Sequence, residues 1–248
     1  GTDALSSNYT LDMTSVSTGA IMKRVLSVTA PTIASKVYDG TTTSGAVTVG
    51  TLSNLAAGES LGLTTATGAL NSKDVSTVAS VIVSYSLVNG TGANPGLAAN
   101  YDLAPSASIA QSGLVTARAL AIVAPTIASR AYDGTSTAGA LSLGALSNFV
   151  GTERVTPNGT AADLTGKNVG NYTTTVSYVL ADGAAGGLAS NYSLASNPGV
   201  QAIITARTLT ITAKSRSISA PGDRAAPTLG TSEFTTSGLV SGEVIDAV

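Results

Sequence analysis

Val28-Thr29-Ala30-Pro31-Thr32-Ile33-Ala34-Ser35-Lys36-Val37-Tyr38-Asp39-Gly40-Thr41 returns downstream as Val123-Ala124-Pro125-Thr126-Ile127-Ala128-Ser129-Arg130-Ala131-Tyr132-Asp133-Gly134-Thr135. Tyr38 and Tyr132 stand 94 residues apart. Solenoid rungs repeat every ~20–50 residues, so this longer spacing suits one independently folded bead per repeat.

Other landmarks recur in the same order. Gly50-Thr51-Leu52-Ser53-Asn54 pairs with Gly144-Ala145-Leu146-Ser147-Asn148, Lys73-Asp74-Val75 with Lys167-Asn168-Val169, and Asn100-Tyr101-Asp102-Leu103-Ala104 with Asn191-Tyr192-Ser193-Leu194-Ala195. Asn8-Tyr9-Thr10-Leu11 repeats the last of these, so the expected organisation is the tail of a preceding repeat at 1–24, full repeats at 25–118 and 119–207, and the start of a different repeat at 208–248. The segment reads as a piece of a longer array. Thr116-Ala117-Arg118-Ala119-Leu120 runs from one repeat's last strand into the next repeat's first, which predicts short, stiff linkers.

Inside each repeat apolar residues alternate with small polar ones, as at Val176, Tyr178 and Leu180, and again at Leu209, Ile211 and Ala213. Period two marks half-buried strands. Asp39-Gly40, Asp133-Gly134, Asn89-Gly90, Asp182-Gly183 and Asn158-Gly159 supply turn chemistry between the runs. The predicted fold is all-β, a tandem of small antiparallel β-sandwich modules of immunoglobulin-like size.

Composition narrows the function classes. Aromatics are 4% and charged residues 10% of the 248 residues, against about 25% charged in an ordinary soluble domain. Each core is therefore thin, and each surface is polar but weakly charged. A net charge of −2 with scattered signs offers no basic stripe, which argues against nucleic acid. The chain has no cysteine, histidine or tryptophan, so thiolate and imidazole chemistry and the usual zinc, haem and iron–sulfur ligands are missing. No cofactor is expected. No apolar run approaches the ~18 residues of a membrane span, and GTDALSSNYT lacks the basic-then-apolar pattern of an export signal. Neither membrane insertion nor a signal of its own is expected.

Lys36-Val37-Tyr38-Asp39-Gly40-Thr41, Lys167-Asn168-Val169-Gly170, Asn191-Tyr192-Ser193-Leu194 and Ile204-Thr205-Ala206-Arg207 together resemble the YDG repeat of bacterial haemagglutinin-type adhesins. Leu209 to Ala213, with Gly222-Asp223, Pro227 and Ser237-Gly238-Leu239-Val240-Ser241-Gly242-Glu243, resembles the start of the MBG repeat, although Pro221-Gly222 replaces that family's tyrosine-glycine pair. The resemblance implies a large protein secreted to the outer surface of a Gram-negative bacterium, similar to filamentous haemagglutinins, with such repeats forming a stalk.

Tyr38, Asp39 and Gly40, with Tyr132, Asp133 and Gly134, are read as structural: the Asp-Gly pair shapes a turn and the ring covers a small core. Asn100-Tyr101 and Asn191-Tyr192 are read the same way, as a turn residue followed by an anchor ring. Lys73 and Lys167 occupy matching places and are isopeptide candidates toward Asn100 and Asn191, which would need a desolvated, neutral lysine beside a protonated acid. The 14 acidic residues are scattered and form no D-x-[DN]-x-[DN]-G loop, so the sequence supports no dedicated calcium site and leaves one at a repeat junction open. Asp39 with Glu59, or Ser72 with Lys73, could be nominated for catalysis, but nothing in the sequence gathers a base, a nucleophile and an oxyanion hole.

The expected role is a non-catalytic stalk or fibre-forming spacer in adhesion or biofilm. Its partners are neighbouring repeats of the same chain and, through weakly charged strand edges, lateral copies of itself. The alternative is a module binding a host or matrix glycan through exposed tyrosines.

Overall fold

A computed structural model describes residues 10, 19–65, 68–76, 78–215 and 234–245. The Asn8-Tyr9 landmark and the Pro221 to Pro227 part of the second resemblance lie outside them. The fold is all-β, with helical structure among the described residues limited to three single 3₁₀ turns. No helix among them is long and apolar enough to cross a membrane.

The chain forms two compact units whose borders cut across the repeats. One comprises Gly1–Lys36 and Thr41–Val115; the other comprises Val37–Gly40 and Thr116–Val248. The first repeat's Tyr38-Asp39-Gly40 is therefore part of the second unit.

The first unit is organised on the strand Ala79–Asn89, which pairs antiparallel with Ser106–Gln111 on one side and with Leu61–Thr65 and Ala69–Leu70 on the other. The pleat explains its sequence: Ala79, Val81, Val83 and Tyr85 are buried, while Ile82 between them faces outward. Two-residue antiparallel pairs, Ser27–Val28 with Leu52–Ser53 and Thr32–Ile33 with Val47–Thr48, complete the set.

The second unit repeats this plan. Gly170–Ala181 lies between Thr156–Ala161 and Asn197–Thr205, both antiparallel to it, and Ala121–Ile122 pairs with Leu146–Ser147 as Ser27–Val28 does with Leu52–Ser53. Val176, Ala202, Ile204 and Leu164 are buried on it, with Ile127, Tyr132 and Tyr172 packed against the last three.

Three features depart from the sequence expectation. The sheets are not purely antiparallel: Arg24–Val25 runs parallel to Tyr101–Asp102, Arg118–Ala119 to Tyr192–Ser193, and Arg130–Ala131 to Ile204–Thr205. Parallel partners need long connections, which is why local alternation carries no trace of them. Of the five Gly in the expected turns, only Gly40 and Gly134 have positive φ, at 78° and 80°; Gly159 sits inside a strand opposite Tyr178. Thr210–Ala213 pairs with Phe234–Ser237, but Leu209 and Ile211 stay 37% and 40% exposed, so their alternation does not bury a face among the described residues.

Candidate functional site

The Tyr-Asp-Gly turn is built locally from its polar residues. Asp133 accepts from the Thr135 N–H at 2.9 Å, the Thr135 hydroxyl at 2.8 Å and Arg130 Nη1 at 2.6 Å. The Thr135 bonds, backbone first, and the Arg130 guanidinium hold its carboxyl below the ordinary aspartate value. Arg130 also donates to the Thr135 and Thr137 carbonyls, both at 2.6 Å. In the first repeat Lys36 Nζ closes the same loop, donating to the carbonyl and hydroxyl of Thr41 at 2.8 and 2.9 Å.

Within the second unit this first-repeat turn sits on a tyrosine–glutamate pair. Tyr192, entered through the 3₁₀ turn Ala189–Asn191, accepts the Val150 N–H at 3.2 Å and donates to Glu153 Oε2 at 2.7 Å. Tyr38, fully buried, donates to the other carboxylate oxygen, Oε1, at 2.8 Å. The two rings meet edge to face with centroids 5.5 Å apart, the geometry that aromatic quadrupoles favour. Phe149 abuts Tyr192 at 5.7 Å, and the Arg154 guanidinium lies 4.9 Å over Phe149. Burial first, and the bond to Glu153 second, push the Tyr192 phenol above its ordinary value.

The backbone is fitted as closely. The Tyr38 N–H donates to the Thr116 carbonyl at 2.9 Å, and the strand Lys36–Val37 pairs with Val115–Thr116. A Cβ on Gly40 would stand 2.8 Å from Val150 Cγ1. Glycine is thus needed twice, for the left-handed conformation and for the close approach.

The second repeat's turn is seated the same way. Tyr132 donates its hydroxyl to Glu243 and its N–H to the Thr205 carbonyl at 2.9 Å, and a Cβ on Gly134 would stand 2.9 Å from Val240 Cγ1. The Glu243 bond, before burial, raises the Tyr132 phenol. In the first unit Tyr101 donates to Glu59 and accepts the Ala56 N–H at 3.1 Å, as Tyr192 does with Glu153 and Val150. The three glutamates occupy one local turn, each N–H donating to the residue three positions earlier: Glu59 to Ala56 at 3.0 Å, Glu153 to Val150 at 3.1 Å and Glu243 to Val240 at 3.0 Å.

The motif residues chosen from sequence mostly converge here. Tyr38, Gly40, Tyr132, Gly134, Tyr101 and Tyr192 all take part, whereas Asp39 and Asp133 are exposed, and Asp133 shapes its turn from outside. Asn191 is fully buried while Asn100 is exposed. Neither isopeptide candidate meets the desolvation condition: Lys167 is exposed, and the 37% exposed Lys73 side chain pairs with Asp74 at 2.9 Å. Ser72 accepts the Asp74 N–H at 3.1 Å, so it and Lys73 both serve a local turn. Asp39 and Glu59 fall in different units. Among the described residues no three Asp or Glu side chains gather as a cation would require.

Sequence reading alone passed over the role of Glu59, Glu153 and Glu243. Their signal was present: three of only 14 acids stand at repeat spacing, 94 and 90 residues apart. Arg24 and Arg118 carry a similar signal. Each grips an asparagine in the left-handed conformation, with Nε on the carbonyl of Asn54 or Asn148 at 2.7 and 2.8 Å and Nη2 on its side-chain oxygen at 2.9 and 2.7 Å.

Comparison with known proteins gives one family. Its model, described as YDG domain, matches residues 22–109 and 116–199. No curated protein and no solved structure matches the chain.

Proposed function

The chain belongs to the YDG domain family, and from that premise we propose that it is a non-catalytic repeat segment of a large adhesin on the outer surface of a Gram-negative bacterium. There it acts as a stalk or fibre-forming spacer. The observation that carries this reading is the seating of Tyr38 on Glu153 and Tyr192, repeated by Tyr132 on Glu243. The residues that define the repeat serve to anchor it in structure built mostly from later residues.

A spacer must transmit load without dissolving into loose chain. Tyr38 contributes a buried ring, a charge-assisted hydrogen bond and a backbone bond to a unit that lies mostly beyond residue 116. Pulling that unit apart requires extracting all three together. The glycan-binding alternative calls for exposed tyrosines, whereas Tyr38, Tyr85, Tyr101 and Tyr192 are buried and Tyr132, Tyr172 and Tyr178 are half-buried.

Single-molecule pulling of the whole chain tests the proposal. Resolved unfolding peaks that fall to lower force in Tyr38→Ala, together with a blank glycan array, are the expected result. A chain that extends without peaks, or one that captures a defined glycan, would overturn it.

A further inference from the structure

Register by register, the first unit carries the same seat as the second. Arg24 matches Arg118 in its grip on the left-handed asparagine, which fixes the alignment. Ala56, Glu59 and Tyr101 then fall on Val150, Glu153 and Tyr192, with the same two hydrogen bonds to the phenol. Ile21 and Met22 fall on Val115 and Thr116, the strand that receives Lys36–Val37, and on Ile204 and Thr205, the strand that receives Arg130–Ala131.

The first copy differs in one respect. Val115 and Ile204 are 2% and 1% exposed beneath their incoming turns, whereas Ile21 is 103% and Met22 85% exposed and neither belongs to a strand. Glu59 accepts from Tyr101 alone among the described residues, where Glu153 also accepts from Tyr38. Ile21, Met22, Arg24, Ala56, Glu59 and Tyr101 line an open recess of about 520 Å³. An apolar residue at the place of Val115 and Ile204, next to a glutamate that accepts from one tyrosine among the described residues, is the chemistry that a Tyr-Asp-Gly turn covers in the other two seats.

We propose that this recess is a docking socket for the Tyr-Asp-Gly turn of a further YDG repeat. The incoming strand pairs with Ile21–Met22, and its tyrosine hydroxyl donates to Glu59. Tyr38 and Tyr132 are already engaged within the second unit, so the turn comes from another repeat and not from either of them. The inference rests on the spacer reading.

A peptide with the sequence of residues 31–43 supplies the turn as a probe. Titrated into the isotope-labelled full chain, it is expected to shift the amide signals of Ile21 to Arg24, Ala56 to Glu59 and Tyr101 saturably. A peptide with phenylalanine at the tyrosine position should bind about tenfold more weakly, the loss of one hydrogen bond to a charged acceptor. The host variant Glu59→Gln should weaken the tyrosine peptide and leave the phenylalanine peptide unchanged; because the peptide pair is also compared on the natural chain, a poorly folded variant does not blunt the test. No saturable shifts at those residues, equal binding of the two peptides, or shifts mapping instead to Phe149–Arg154 would overturn the proposal. Pulling experiments do not involve the peptide, so a failed titration beside an intact Tyr38 effect removes the socket and leaves the spacer reading standing.

Discussion

Replacing Tyr38 by alanine removes a fully buried ring, its edge-to-face contact with Tyr192 at 5.5 Å, and its 2.8 Å bond to Glu153. Truncating a buried aromatic costs about 3–5 kcal/mol, and the ring pairing adds about 0.5–1.5 kcal/mol beyond area alone. A cost near the middle of the first range, about 4 kcal/mol, is the working figure, because an edge of the thin core can relax over the gap. For a cooperative unit of this size it lowers the melting temperature by about 10 °C. Tyr38→Phe keeps the ring and loses only the charge-assisted bond, about 1.5–3 kcal/mol. Where the damage falls is the sharper test. Tyr38 lies in the first repeat by sequence but in the second unit by packing, so hydrogen exchange should quicken in Phe149–Arg154 and Ala189–Ser193. The strands Leu61–Thr65 and Ala79–Asn89 should keep their protection. Faster exchange confined to residues 41–115, with the second unit unchanged, would refute the reasoning.

Gly134→Ala combines the strain of positive φ with a 2.9 Å approach to Val240 Cγ1, about 1–3 kcal/mol in all; adding Val240→Ala should recover the steric part but not the conformational part, as urea titration of the single and double variants will read. The phenols of Tyr101, Tyr132 and Tyr192 lie above the ordinary value of 10.0, so folding favours their neutral form. The stability this contributes is complete below about pH 10 and is lost as pH rises through the raised values; tyrosinate absorbance should therefore rise later in the native chain than in urea, and coincident curves would contradict the assignment. Arg118→Lys loses the fork that grips Asn148 through two atoms and should destabilise by about 1 kcal/mol, measured by chemical denaturation beside Arg24→Lys. The intact mass should equal the sequence mass, since Lys167 is exposed and Lys73 is paired with Asp74; a loss of ammonia would reinstate the isopeptide bond.

The all-β character and the repeat were legible because each leaves a local trace: period two in Val176, Tyr178 and Leu180, and a duplicated tripeptide at a fixed spacing. What Tyr38 touches was not. Its partners Glu153 and Tyr192 lie more than a hundred residues away, and no propensity connects a turn to a carboxylate at that distance. The parallel pairs escaped for the same reason, since Arg118 and Tyr192 meet only after the whole repeat has closed. Gly159 was misread because a glycine in a strand and one in a turn look alike until Leu143 is seen against it, with a Cβ there only 2.6 Å from Leu143 Cδ2.

The Glu153 and Glu243 seats also give the repeat a direction. Tyr38 and Tyr132 each hand a ring to a glutamate later in the chain, so unequal recombination between genes could add or delete a whole copy between these seats without inventing a new contact, provided the cut preserves that phase. Length could then drift freely over generations while the joint between copies stays the same.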